Sequence, residues 1–322
     1  MDNIVAYISS RNNYEMLEGE VLKNVDLSRI ELVNVDDDSC KEQQEFGKRI
    51  CARYGIKYVP NGGRGLFMAA KTAVDFVSDN NPKCKFVFWL THDCYPITKN
   101  FFQKLDETVS DGKLDQFGCV GFNTVWKKYS MSIDDFRANN LEGSYCGAMG
   151  RAVLTKVPGA GWYRSHDFEM PWNVWGKNVA VESVVDMNLM INVSNFQKYV
   201  IPDGNFHHFC WGDDLGLQFL KNNVYNITLA NFYVYHDQSL KTRYSIPENS
   251  ARAVQAGDNY HFCHPTHHLD HWMEKWKFHR EWQKKKDVEN LNSIKHLYKN
   301  TLIHDFIEHD YTRGPIKHFD FS

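Results

Sequence analysis

The first 125 residues alternate short apolar runs with amphipathic stretches, and this alternation constrains the fold more than anything else in the chain. Runs of strand length occupy 4–8, 30–35, 56–59, 86–90 and 119–122. Between them, 14–23, 42–54, 66–77 and 101–109 carry helical spacing, with Phe46, Ile50 and Tyr54 at i, i+4 and i+8 predicting one apolar face. Strands that read as continuous apolar runs belong to parallel sheets covered on both faces. The order predicts an α/β fold, a mostly parallel mixed sheet flanked by helices. In such sheets ligands bind beyond the carboxyl ends of the strands. The run 86–90 is followed by Thr91-His92-Asp93-Cys94, so its acid falls just where the strand leaves the sheet.

Further along, the pattern predicts a strand at 143–149 and a loop over 158–177 rich in Gly and aromatics, including Trp162, Tyr163, Trp172 and Trp175. A helix follows at 213–221 with Leu217 and Leu220 inward, then a strand at 227–235 stopped by His236. From about residue 241 the character changes. Helical spacing over 267–285 and 288–306 predicts a C-terminal helical extension, dividing the chain into 1–240 and 241–322.

Charge and composition narrow the function classes. A net charge of −3 over 322 residues gives no basic field for nucleic acid. No segment approaches the ~18 apolar residues that span a bilayer. Eight cysteines without a CxxC pair read as reduced thiols, which with the short apolar run at the start predicts a cytoplasmic protein. The basic, Trp-rich helix 272–286 fits either a membrane surface or packing on the main domain, and the second is favoured. Six potential ligands between His261 and His271 include a single cysteine, Cys263, and lack tidy zinc spacing.

Several polar clusters could carry chemistry, each with a plainer alternative. Asp36-Asp37-Asp38 could meet a nucleotide or cap a helix with Ser39. Gly62-Gly63-Arg64-Gly65 could bring backbone and a cation to a diphosphate, or be a simple turn; it is neither a P-loop nor a dinucleotide fingerprint. Asp93 could hold a divalent cation or close a turn before Pro96. Asp213 and Asp214 could supply a general base or favour a helix dipole. His236 is a metal ligand or a structural histidine. Trp172, Trp175 and Trp211 could stack on a sugar acceptor or roof the core.

Taken in order, these segments resemble the GT-A glycosyltransferases, most closely the inverting family-2-like enzymes, over about residues 3–240. Val35-Asp36-Asp37-Asp38-Ser39 looks like their VDDGS segment. Leu90-Thr91-His92-Asp93 occupies their DxD position, with Thr91 replacing the first acid. Gly212-Asp213-Asp214 looks like their ED pair, and Tyr235-His236 like their strand-final histidine. The resemblance implies transfer of a hexosyl or deoxyhexosyl group from a nucleotide-diphosphate sugar to a glycan or other hydroxyl acceptor, with inversion. Ser9, Arg11, Asp36, Asp37, Arg64, His92 and Asp93 would bind the donor. Asp93 and His236 would hold Mn²⁺ or Mg²⁺, and Asp214 would act as base beside Asp213. The alternative is a non-catalytic carbohydrate- or nucleotide-sugar-binding protein on the same fold.

Overall fold

An unbroken run of five apolar residues can be buried on both faces only inside a sheet, and β4 (Phe86–Leu90) lies at the centre of one. The computed structural model describes residues 3–61, 65–126, 155–157, 161–163, 178–181, 184, 188–207, 210–237, 271–272, 274–275 and 318–319. Parallel to β4 run β1 (Ile4–Ser10), β2 (Glu31–Asp36) and β3 (Lys57–Pro60). Beyond β4 come β10 (Met190–Asn192), antiparallel, then β6 (Cys119–Trp126) and β11 (Asn226–His236), which are parallel to each other. With β9 (Asn178–Val181) and β12 (His318–Phe319) the order is β12–β9–β11–β6–β10–β4–β1–β2–β3. The tenth strand, β5 (Cys94–Pro96), pairs with β11. The expected mostly parallel mixed sheet flanked by helices is therefore present.

Alternation along β4 sorts the core into two aromatic layers. Phe88 meets Phe101 and Phe102 of α5 (Phe101–Ser110) at 5.8 and 5.6 Å, together with Phe122. Its neighbour Trp89 faces the other way, onto Trp211 of α7 (Trp211–Lys221) at 4.9 Å; Phe67 of α4 (Gly65–Asn80) completes that layer. The chain from Tyr14 is helical through α1 (Tyr14–Met16), a π-turn at Leu17–Val21 and α2 (Leu22–Asn24), and α6 (Val193–Tyr199) follows β10.

The predicted face of α3 (Lys41–Tyr54) is displaced: Gly47, Ile50 and Cys51 are buried, whereas Tyr54 is 43% exposed. The reason is Tyr14. Its ring lies so close to Gly47 that a Cβ there would come within 2.4 Å of it, so the helix turns its smallest residue inward.

Two segments expected to lack strands contain them. Within the predicted loop 158–177, β8 (Gly161–Tyr163) pairs with β7 (Thr155–Val157), and β12 adds a strand to an extension expected to be helical. The predicted strand 143–149, most of the predicted helix 267–285 and all of 288–306 lie outside the described residues. Residues 271–272 and 274–275 are helical, and Trp272 is fully buried in the same core as the sheet. Among the described residues no helix is long and apolar enough to cross a membrane, and of the six described cysteines all but Cys40 are buried.

Candidate active site

The parallel strands β1, β2, β3 and β4 deliver their carboxyl ends to one edge of the sheet. β10 is antiparallel to both β4 and β6, and β11 is parallel to β6, so His236 at the end of β11 reaches the same edge. After β4 the chain turns through Thr91-His92-Asp93 and returns as β5 along β11, with Cys94 directly opposite His236. Asp237 N donates to Asp93 O at 2.7 Å, closing the ladder. Residues about 140 apart in sequence are thereby joined. His236 Nε2 lies 3.2 Å from Asp93 Oδ2, and the donor atoms of Asp93, Cys94 and His236 are all within 4.8 Å of one another. Asp93 keeps 29% side-chain exposure, which gives a ligand access. Burial would raise its carboxyl, but the hydrogen bond from His236 and the charges of His236 and His92 outweigh that and hold it down to about 2.

The turn bearing Asp93 is fixed by a residue the sequence reading missed. Asn188, fully buried with φ 58°, accepts from Thr91 N (2.8 Å) and Thr91 Oγ1 (3.2 Å) through Oδ1, and donates to Cys94 O (3.1 Å) through Nδ2. The hydroxyl at the first acidic position of the motif is therefore engaged in holding the turn. An asparagine tolerating left-handed backbone is the only sequence signal, and it is common in turns.

A buried polar chain links this turn to the end of β2. Ser10 Oγ donates to Asn34 Oδ1 (2.6 Å), Asn34 Nδ2 donates to Tyr14 Oη (3.0 Å), and Tyr14 donates to Asp36 Oδ2 (2.5 Å). Ser10 spends its one proton on Asn34, so at its 3.2 Å contact His92 Nε2 is the donor. Burial pushes the His92 imidazole down to about 4, against the pull of Asp93, so the ring is neutral at pH 7.

The other predicted donor-binding residues share this edge with different degrees of access. Asp36 is 1% exposed, and its second oxygen accepts from Ser39 N at 2.9 Å. Asp37 Oδ1 accepts from Asn61 Nδ2 (2.7 Å) and Gly65 N (2.9 Å), placing its carboxylate at the start of α4. Gly65 has φ 77° and packs on the His207 backbone, where a Cβ would come within 2.4 Å, so only glycine fits. Arg11 donates to Asp37 O and sits 3.8 Å from its carboxylate. Ser9 is half-buried beside Ser10 on β1. Arg64, Trp172 and Trp175 lie outside the described residues.

The predicted base lies under a clamp that sequence reading did not find. Asp213 and Asp214, in the first turn of α7, are both fully buried. Gln218 Nε2 donates to Asp214 Oδ2 at 2.7 Å, and Lys275 Nζ lies 2.9 Å from the Asp214 carboxylate. Lys275 also reaches Asp203 (3.2 Å), which His271 contacts at 2.9 Å. Burial would raise the Asp203 carboxyl, but His271, the Asn205 backbone and Lys275 hold it well below the usual carboxylate range. Its contribution to stability is therefore fully present above about pH 4 and is lost as pH falls toward the depressed value. Urea melts from pH 6 to pH 3 are expected to show a loss of stability that Asp203→Asn reduces; identical slopes would refute the pairing.

Trp211 is fully buried between Phe67 and Trp89, so no face of its ring is open to a sugar. Trp211→Ala is expected to cost about 3–5 kcal/mol of stability, read by chemical denaturation.

No family model matches this sequence, and no curated protein matches it. Solved structures are similar in shape. The crystal structure of GalNAc-T7 with UDP, GalNAc and Mn²⁺ superposes with a TM-score of 0.50 at 12% identity, covering 90% of this chain and 56% of that one. This chain thus spans little more than half the length of that relative. S. aureus TarS gives a TM-score of 0.45 at 13% identity over 95% of this chain and 49% of its own. A197 from STIV gives 0.34 at 14% identity over 73% and 85%. With the strand order above and the likeness to GalNAc-T7, the fold of this chain is GT-A.

Proposed function

We propose that this protein is a glycosyltransferase that moves a hexosyl or deoxyhexosyl group from a nucleotide-diphosphate sugar to a glycan or other hydroxyl acceptor, assisted by Mn²⁺ or Mg²⁺. The observation that carries the reading is the convergence of Asp93 and His236, 143 residues apart, at 3.2 Å on the carboxyl edge of a GT-A sheet. A carboxylate oxygen and an imidazole nitrogen suit Mn²⁺ well; Mg²⁺, which prefers oxygen, would rely more on water and phosphate oxygens. A divalent ion held there would neutralise the diphosphate as it departs.

The chain's own residues do the rest. Asp93, ionised across the physiological range, and His236 would hold the cation. Neutral His92 stays hydrogen-bonded to Ser10 and supports the turn without adding charge beside it. Ser9, Arg11 and Asp37 border the nucleotide, and Asp36 stiffens that border from beneath through Tyr14 and Ser39. Asp214, with Asp213 beside it, serves as the base that takes the acceptor hydroxyl proton, giving a single displacement with inversion. For that its carboxylate must be uncovered, which requires Lys275 to swing aside.

One observation favours a second reading, a non-catalytic sugar-nucleotide-binding protein: the Asp214 carboxylate is sealed beneath Lys275 and Gln218. Incubating the full chain with a panel of sugar nucleotides, UDP-sugars first because the GalNAc-T7 structure holds UDP, separates the two readings. Mn²⁺-dependent transfer or hydrolysis, abolished by chelation and giving an inverted anomer, supports the enzyme. Retained configuration removes Asp214 from its role. Saturable donor binding without turnover supports the second reading.

A further inference from the structure

The donor set at the end of β4 is not the all-oxygen set that a hard cation prefers. Cys94 stands directly opposite His236 across the β5–β11 pair, so the two side chains leave the same face of the ladder. Asp93 precedes it in the turn. One carboxylate oxygen, one sulfur and one imidazole nitrogen fall within 4.8 Å of each other. Tetrahedral zinc with ordinary bond lengths would set these atoms roughly 3.4–3.7 Å apart. Closing on an ion therefore brings the donor atoms together by about 1 Å. Three protein ligands with a fourth position left for an oxygen is the usual pattern of a reactive zinc centre, and thiolate ligands favour zinc over manganese and magnesium.

We propose that Asp93, Cys94 and His236 form a thiophilic metal site that binds Zn²⁺ more tightly than Mn²⁺ or Mg²⁺, leaving one position open for a diphosphate oxygen. The proposal rests on reading this edge as the metal-holding end of the site. It adds Cys94 as a ligand and names the class of ion selected. On coordination the thiol proton passes to solvent, and no electron transfer is involved.

The test is a titration of the reduced, full-length protein with Co²⁺, followed by displacement with Zn²⁺ and, separately, with Mn²⁺. A sulfur-to-cobalt charge-transfer band is expected, removed by Zn²⁺ at concentrations about tenfold or more below those of Mn²⁺. Cys94→Ser and Cys94→Ala should both abolish the band and weaken Zn²⁺ binding at least about tenfold. Circular dichroism of both variants confirms folding, and two replacements of different polarity guard against one failing to fold. A band that survives in either folded variant places the sulfur elsewhere, for example at Cys263, and overturns the proposal. So does a wild type that shows no such band, or one in which Mn²⁺ displaces Co²⁺ as readily as Zn²⁺ does. Asp93→Asn separates the two levels: if it leaves Mn²⁺-dependent UDP binding unchanged, the functional reading falls, whatever Cys94 does.

Discussion

Asp93→Asn is expected to lower metal-supported turnover by about 10²–10³ while moving the melting temperature little. The substitution keeps the shape of the side chain and removes its charge. In the folded protein that carboxyl is held down to about 2, so the charge is present at every working pH. Its loss withdraws electrostatic help from the departing diphosphate, and single groups that stabilise such charge carry effects of this size. The cost to folding is limited because Asp93 is partly exposed and the Asn side chain can still hydrogen-bond to His236. Steady-state kinetics across a Mn²⁺ series, with thermal melts of the same samples, checks both halves. Full turnover in the Asn variant would show that the edge residues do not hold the ion.

The second large effect concerns stability. Lys275→Met is expected to destabilise the protein by about 3 kcal/mol, read by urea denaturation. Lys275 Nζ bridges Asp203 and the fully buried Asp214. Removing a cation from a buried carboxylate costs more than the pair contributed, because the charge is left behind in a poor solvent. Pairing it with Asp214→Asn should recover most of the loss, since the uncompensated charge goes too. The same single variant bears on mechanism. If Asp214 is the base and Lys275 its cover, turnover per folded molecule rises in Lys275→Met. If turnover is absent in both forms, Asp214 is an anchor for the chain near residue 275.

The parallel half of the sheet was legible because its signals are local. β4 was anticipated residue for residue, and β1, β2, β3, α3, α4 and α5 within a few residues, because an apolar run next to an amphipathic one leaves few alternatives. The acid at the end of β4 was legible for the same reason. What failed to show are pairings without a local pattern. β5 and β10 are three residues each, too short for periodicity to register. Tyr54 fell outside the buried stripe of α3 because the stripe is set by the Tyr14 ring, which a periodicity argument on the helix alone does not contain. Asn188 and Lys275 act on residues 97 and 61 positions away, and nothing in their immediate neighbours marks them. Asp36 shows the converse: the cluster was visible, but that one of its acids is turned inward onto a tyrosine depends on a third segment.

The short return strand β5 makes the chemistry of this edge a matter of parity. Side chains along a strand alternate between faces, so a shift of one residue in its pairing exchanges every occupant of each face. With the pairing observed, a sulfur stands across from His236. A single-residue insertion between Thr91 and Cys94, or a deletion there, would set the aspartate or the tyrosine in that place. One codon gained or lost would thus change which donor atom faces His236, with the surrounding architecture left standing.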